Sequence, residues 1–441
     1  MEYQVKNLII GFGKGGKTLA GKLANQGEPV VIIEKSNQMY GGTCINVGCL
    51  PSKKLILQGE QQVPFPEAVH DKNQMTSFLR DKNYHLLADQ DLITVIDGKA
   101  RFLADHLVEV LQPDGSKINY QAERIFINTG STPFMVPIPG LAASKYRIDS
   151  TQAMDLTKAP QHLVIIGGGY IGLEFASMFQ HYGSKVTVLD HNNVFIPRED
   201  RDVADAVYHD MIAEKIDIKM NVLIKKVNQD IITFEQDGKL HTITADKILV
   251  ATGRRPNTAE LGLENTNIAT DQTGSIVVAD DLQTTVPSVW ALGDVKGGPQ
   301  FTYISLDDQR IVVDQLFGKK EYKLSDRTLV PYSVFLTPPL SRIGLNEQDA
   351  KAQGIEYKLF KLAVAAIPKA RVMNETRGIF KILVDPKTDL ILGATIYAVE
   401  SHEVINLITL AMQNNLPYQI LRDQIYTHPT MTEALNDVLK D

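Results

Sequence analysis

Short runs of consecutive apolar residues recur along the chain, and two of them continue in the same way. The first lies in KNLIIGFGKGG (Lys6 to Gly16) and the second in HLVIIGGGYIG (His162 to Gly172). Each run is too short for a helix and lacks alternation, the pattern of a strand buried on both faces. Small and apolar residues at helical spacing follow: Leu19, Ala20, Leu23 and Ala24 in one copy, Leu173, Ala176 and Phe179 in the other. A second β-rich run closes each unit, VVIIE and KVTVLD. A further echo links RIFINTG (Arg124 to Gly130) with KILVATG (Lys247 to Gly253), each an apolar strand ending on Thr-Gly. Between the units, LQPDGSK and FEQDGKL carry Asp-Gly reversals that predict hairpins. Beyond about Pro331, FKILVD and LILGATIYA read as strands and SHEVINLITLAMQNN as a helix. The pattern predicts two related α/β domains followed by an α+β third.

The glycines in the repeat give it chemistry. Gly11, Gly13 and Gly16 form one G-x-G-x-x-G, and Gly167, Gly169 and Gly172 form the other. The first glycine of such a set makes the strand-to-helix turn, the second admits a pyrophosphate close to the backbone, and the third lets helix and strand pack. Free N–H groups at the helix start then face the phosphates. Glu34 follows Gly11 by 23 residues, and Asp190 follows Gly167 by 23. A carboxylate there accepts ribose hydroxyls. Two Rossmann-like dinucleotide sites are expected.

Composition narrows the remaining choices. A chain of 441 residues, 44% hydrophobic and 22% charged, is globular and of two to four domains. Its net charge of −7 has the wrong sign for tracking phosphate backbones, so no nucleic-acid partner is expected. No apolar run approaches the ~20 residues of a membrane span. The start, MEYQVKNLII, has an acidic second residue and a very short apolar stretch, which speaks against a secretory signal and for a cytoplasmic protein. The only cysteines are Cys44 and Cys49. Such usage does not build structural disulfides, which leaves the pair either incidental or chemical.

Their surroundings, GGTCINVGCLPSKK (Gly41 to Lys54), resemble the redox centre of the flavin-dependent pyridine nucleotide–disulfide oxidoreductases. Further landmarks of that family follow in order along the whole chain: ATGRRPN (Ala251 to Asn257), ALGD (Ala291 to Asp294) and HPTMTE (His428 to Glu433). The resemblance implies FAD in the first site and a nicotinamide dinucleotide in the second. It implies an FAD-binding domain over 1–147 completed by 276–328, an NAD-binding domain over 148–275, and a dimerisation domain over 329–441. It also implies a redox-active disulfide between Cys44 and Cys49, with Cys49 facing the flavin and Cys44 meeting the acceptor. Residues five apart in a regular helix have Cα atoms about 8–9 Å apart. A disulfide needs less than ~7 Å, so the segment must be distorted, and Asn46, Gly48 and Pro51 are compatible with that.

By the same resemblance Lys53 and Glu174 form an ion pair beside the flavin. Asp294, with Gly293, meets the ribityl chain, while Phe301 and Thr302 open a helix aimed at the flavin's pyrimidine end. Lys35, Gly42, Thr43, Thr129 and Gly130 complete the flavin contacts, and Gly253 those of the nicotinamide site. Tyr170 falls where some relatives place an aromatic gate, and an ordinary packing tyrosine is the equal alternative. His428, oriented by Glu433, would serve Cys44 of a second subunit as acid–base, which implies a homodimer.

Asp190 suits the free ribose of NADH and repels the 2′-phosphate of NADPH. His191, Asn192 and Asn193 follow it, and no arginine appears before Arg198, so NADH is the expected donor. The acceptor is a metal ion or a small disulfide. MYGGTCIN, PREDRD, QFTYISLDDQRIV, PYSVFLTPPLSRIG and IPKARVMNETRG resemble a bacterial branch of the family regarded as copper(II) reductases in defence against reactive chlorine. That likeness implies transient copper at Cys44 and Cys49 and no structural metal site, since soft thiolates favour Cu(I). Dihydrolipoamide dehydrogenase, mercuric reductase and other small-disulfide reductases are the alternatives. A flavin-binding signalling or structural protein has no need of Cys44, Cys49, Lys53, Glu174, His428 and Glu433 together.

Overall fold

The computed structural model describes residues 2–440. A parallel sheet forms around Glu2–Ile10, which pairs with Val30–Glu34 on one side and Lys117–Ile127 on the other. Ile93–Asp97 extends it at one edge, and Val289–Ala291 pairs with Lys117–Ile127 from far along the chain. Leu107–Leu111 and Lys99–Ala104 add an antiparallel edge, the first of them reached through the Asp114–Gly115 reversal. Leu8, Ile10 and Ile33 point into one apolar layer and Ile9, Val30 and Ile32 into the opposite one. That two-sided burial is why the strands read as continuous apolar runs.

The second sheet repeats the plan. Lys185–Leu189, His162–Ile166 and Lys247–Val250 lie parallel, flanked by Asp217–Lys219 and Arg147–Ile148. Beside it stands an antiparallel meander, Leu223–Asn228, Ile231–Gln236 and Lys239–Thr244. Asp237 and Gly238 both have positive φ in its tight turn, as the FEQDGKL signal predicts. The third domain is a five-stranded antiparallel sheet (Tyr332–Val334, Leu340–Gly344, Ile391–Tyr397, Ile379–Val384, Lys358–Ala363) covered by the helix Ser401–Gln413.

The expected boundaries need correction where the chain crosses between domains. Arg254–Pro256 pairs antiparallel with Ser131–Pro133, and Leu261 and Ile268 pack into the first domain's core. The chain therefore returns to the first domain near residue 254, not 276. In the outward direction Met135, Val136, Ile138 and Leu141 already pack against the second domain, well before residue 148. The boundaries move because the crossover residues are apolar and bury on whichever core is nearer, which no local turn signal records.

Lys381 fastens the second domain to the third. It is completely buried, and its ammonium donates to Asp200 at 2.7 Å, Asp202 at 2.8 Å and Glu347 at 2.6 Å. Burial works against that charge, but the three carboxylates outweigh it and hold the ammonium above the ordinary lysine range. The acidic cluster is thus a lysine's socket, filled by the chain itself.

Candidate active site and dinucleotide cavity

The two cysteines sit on separate helical segments, Thr43–Asn46 and Cys49–Glu60. The interruption falls at Val47 and Gly48, where φ −129° and ψ −117° break the helix. A Cβ on Gly48 would lie 2.9 Å from the Thr43 carbonyl oxygen, so the turn needs glycine's small profile. Through this break the free thiols of Cys44 and Cys49 come into hydrogen-bonding contact. The hydrogen bond from Cys44 holds the Cys49 thiol well below the usual range; burial opposes it, and the Lys53 ammonium and Thr302 hydroxyl assist. Cys44 moves up, through that same bond and through burial. The negative charge of the pair therefore resides on Cys49, whose sulfur lies 3.8 Å from Thr302 Oγ1.

Lys53 stands one helical turn after Cys49. Its Nζ donates to Glu174 Oε2 at 2.7 Å, from the helix Tyr170–His181 of the second domain. The ammonium also lies 4.6 Å over the ring of Phe335, whose peptide N–H donates to Glu174 Oε1 at 2.8 Å. All three domains thus contribute to one ion pair. The part played by Phe335 was not legible in the sequence, where PYSVFLTPP shows only a strand and a turn.

These groups open on a cavity of about 1300 Å3. Gly11, Gly13, Glu34, Lys35, Gly42, Thr43, Thr129, Gly130, Asp294, Phe301 and Thr302 all line it. A Cβ on Gly11 (φ +107°) would fall 2.3 Å from the Asn128 carbonyl oxygen, and one on Gly42 would fall 2.6 Å from Gly13 Cα. The bare backbone so exposed, at the start of the helix Lys14–Asn25, makes a phosphate cradle. Glu34 accepts the Phe12 N–H at 3.0 Å and the Ser36 N–H at 3.3 Å, while burial pushes its carboxyl up. Asp294 Oδ2 accepts from Ser131 Oγ at 2.6 Å, and Ser131 Oγ in turn accepts from Arg254 Nε at 2.8 Å. Gly293 stands behind this wall, its N–H donating to Asp308 at 2.7 Å. Gly16, off the cavity, lets the helix meet its strand: its N–H donates to Asn128 Oδ1 at 2.9 Å. The cradle, the Glu34 carboxylate and the Asp294 carboxylate on the cavity wall together fit a flavin adenine dinucleotide. Asn128 and Arg254 were missed as individual residues, although Asn128 lies in the first strand-Thr-Gly segment and Arg254 in the ATGRRPN landmark.

Of the second set, Tyr170 and Glu174 line the same cavity. Gly167 (φ +110°) makes the same turn as Gly11, with a Cβ there 2.5 Å from the Ala251 carbonyl oxygen. Gly169 caps the helix Tyr170–His181, and a Cβ on Gly172 would strike the Gly167 carbonyl oxygen. Asp190 is buried at the end of its strand, where its carboxylate accepts the Asn192 N–H at 3.2 Å and the Asn192 side-chain amide at 3.1 Å. Gly253, also at φ +110°, accepts the Phe134 N–H at 2.8 Å.

His428 does not meet Cys44 within one chain. It is 70% exposed on the third domain, and its Nδ1 lies 2.8 Å from Glu433 Oε2. The Thr430 N–H donates to Glu433 Oε1 at 3.1 Å and fixes the carboxylate. The imidazole is thus oriented and presented outward.

The family model for pyridine nucleotide-disulphide oxidoreductases matches residues 5–308, and that for their dimerisation domain matches residues 330–439. The chain belongs to this family and is an oxidoreductase. It is 49% identical, over 98% of each chain, to the probable pyridine nucleotide-disulfide oxidoreductase RclA of Escherichia coli. It is 32% identical to a mercuric reductase of Staphylococcus aureus, over 97% of this chain and 80% of that protein, and 30% identical to the dihydrolipoyl dehydrogenase of Mycoplasma pneumoniae, over 98% and 97%. Among solved structures, the Cu(II) complex of the HOCl-induced flavoprotein disulfide reductase RclA from Escherichia coli superimposes with a TM-score of 0.96, at 48% identity and 99% coverage of both chains. Among the described residues, no helix is long and apolar enough to cross a membrane.

Proposed function

We propose that the protein passes electrons from NADH through FAD and the Cys44–Cys49 pair to Cu(II), reducing it to Cu(I), in defence against reactive chlorine. The observation that carries this reading is the break at Val47–Gly48, which joins two thiols and leaves the charge on Cys49 beside Lys53. The likeness to a reductase solved as a Cu(II) complex supports the choice of acceptor.

FAD, when bound, supplies the two-electron relay between nicotinamide and disulfide. The first glycine cradle and Glu34 would hold its adenosine and pyrophosphate, Asp294 its ribityl chain, and the start of the helix at Thr302 its pyrimidine end. Gly167, Gly169 and Gly172 would hold the NADH pyrophosphate, with Asp190 toward the ribose. Asp190 excludes a 2′-phosphate, so NADH is preferred to NADPH. Lys53, fixed by Glu174 and Phe335, stabilises the Cys49 thiolate. Cys44 remains the thiol that meets the acceptor. Oxidation of the dithiol to the disulfide releases two electrons and two protons, which reduces two Cu(II) ions to two Cu(I). NADH oxidation to NAD+ restores the two electrons.

His428 and Glu433 of one subunit would serve Cys44 of the other in a homodimer, and the supply of NADH places the reaction in the cytoplasm. That imidazole favours a second reading, a small disulfide as acceptor, because a departing thiolate needs a proton and a metal ion does not. NADH oxidation with Cu(II), Hg(II), lipoamide and oxidised glutathione, compared side by side, decides between them. Fast Cu(II) reduction with slow disulfide turnover is expected. Strong lipoamide turnover with no response to copper would overturn the copper reading.

A further inference from the structure

Glu199 is completely buried in the segment that leads from the strand Lys185–Leu189 to the helix Arg201–Ala213. One carboxylate oxygen, Oε1, accepts from two phenols: Tyr170 of the second domain at 2.6 Å, and Tyr332 of the third. The other, Oε2, accepts no hydrogen bond, and its nearest cation is Arg342 Nη1 at 3.7 Å. The two rings stack with centroids 5.7 Å apart, and both line the large cavity. Burial and the Glu199 charge hold both phenols above the ordinary tyrosine range, so each stays a donor.

The two donors are not equivalent. Tyr332 is set in a strand, and its ring also stacks on Phe301 with centroids 6.5 Å apart. Tyr170 is the first residue of its helix, immediately after Gly169 of the fingerprint, and borders the open cavity. If Tyr170 swings out, Oε1 keeps its bond to Tyr332 and the buried carboxylate is not stripped of donors. A carboxylate sharing one oxygen between a fixed and a movable donor can release the movable one cheaply.

We propose that Glu199 is a positioning residue that latches Tyr170 over the nicotinamide end of the cavity, and that pyridine nucleotide enters by breaking the Tyr170–Glu199 bond. This rests on the reading of that end as the NADH subsite. It fixes opposite roles for two tyrosines on one carboxylate.

The test is the NADH concentration that half-saturates anaerobic flavin reduction in the FAD-loaded enzyme. Tyr170→Phe removes the latch and should lower it about three- to ten-fold, the worth of an ordinary hydrogen bond, since Oε1 keeps its second donor, Tyr332, when Tyr170 leaves. Tyr332→Phe leaves Tyr170 as the sole donor and should raise it by at least about twofold, because release then leaves Oε1 bare. Glu199→Gln keeps the shape with a weaker, neutral acceptor and should fall between wild type and Tyr170→Phe. Reoxidation of dithionite-reduced enzyme by Cu(II), which bypasses the latch, should not follow these opposed shifts. Shifts of the same sign in both phenylalanine variants, or none reaching twofold, would overturn the latch while leaving the NADH reading intact. Failure of NADH to reduce the wild-type flavin would overturn both.

Discussion

Lys53 and Glu174 are 121 residues apart and come from different domains, yet their charged groups meet at 2.7 Å beside Cys49. The ammonium is shared between a carboxylate, an aromatic face and the neighbouring thiolate. Lys53→Met should therefore raise the Cys49 thiol by roughly one to three pH units, the usual effect of losing a close opposite charge. The readout is the long-wavelength absorbance of a thiolate against flavin in the two-electron-reduced protein, followed against pH. In the wild type Cys49 is depressed, so the band should persist below the ordinary thiol range of about 8.5 and fade only as pH falls through the lowered value. Cys49→Ser should abolish it; a surviving band would mean that the charge sits elsewhere.

The proposed preference for NADH rests on Asp190. Its buried carboxylate is held by Asn192, and no arginine stands nearer in sequence than Arg198. Replacing Asp190 with Ser removes the repulsion of a 2′-phosphate. The NADPH-to-NADH ratio of kcat/KM should rise by about tenfold or more. Wild-type preference for NADPH in the same assay would refute this role.

His428→Ala should separate the acceptors. Loss of a positioned acid–base group slows disulfide reduction by about a hundred- to ten-thousand-fold. Cu(II) reduction, which protonates no leaving group, should fall far less. Glu433→Gln should give a smaller loss of the same kind, since Thr430 still holds the side chain in place. Equal losses with both acceptors would contradict the assignment.

Lys381→Met should be severely destabilising. It leaves Asp200, Asp202 and Glu347 facing one another around an uncharged thioether. Stripping the partner from a buried charge group costs about 3–5 kcal/mol, measurable by urea denaturation. The sign of the pH effect follows from the carboxylates. Asp202 and Glu347 are held low by lysine partners despite burial. Their contribution is present above the unfolded carboxylate range and is lost as pH falls through the depressed values. The variant's deficit should therefore narrow on acidification, as Asp202 and Glu347 protonate and cease to repel.

What could be read from the sequence was chemistry confined to short segments. Gly11 and Gly167 announce their turns because only glycine tolerates φ near +110° there. The Asp237–Gly238 hairpin and the helix break at Gly48 follow from equally local preferences. Phe335, Glu199 and Lys381 left no such trace. Each acts through partners from 29 to 181 residues away, and a phenylalanine in a strand or a lysine in FKILVD looks ordinary until the fold brings its partners in. The crossover near residue 254 was misplaced for the same reason, since its pairing with Ser131–Pro133 is made in space alone.

That pairing has a further consequence. Pro133 and Arg254 lie opposite each other in a two-stranded ribbon, so the chain leaves for the second domain and comes back through one doorway. Everything between them is a cassette with adjacent ends. Such a cassette is exchangeable: a foreign dinucleotide module with the same end spacing would graft here without rerouting the host sheet. It would have to bring its own counterparts of Glu174, Glu199, Asp200 and Asp202, since the other two domains reach for those side chains.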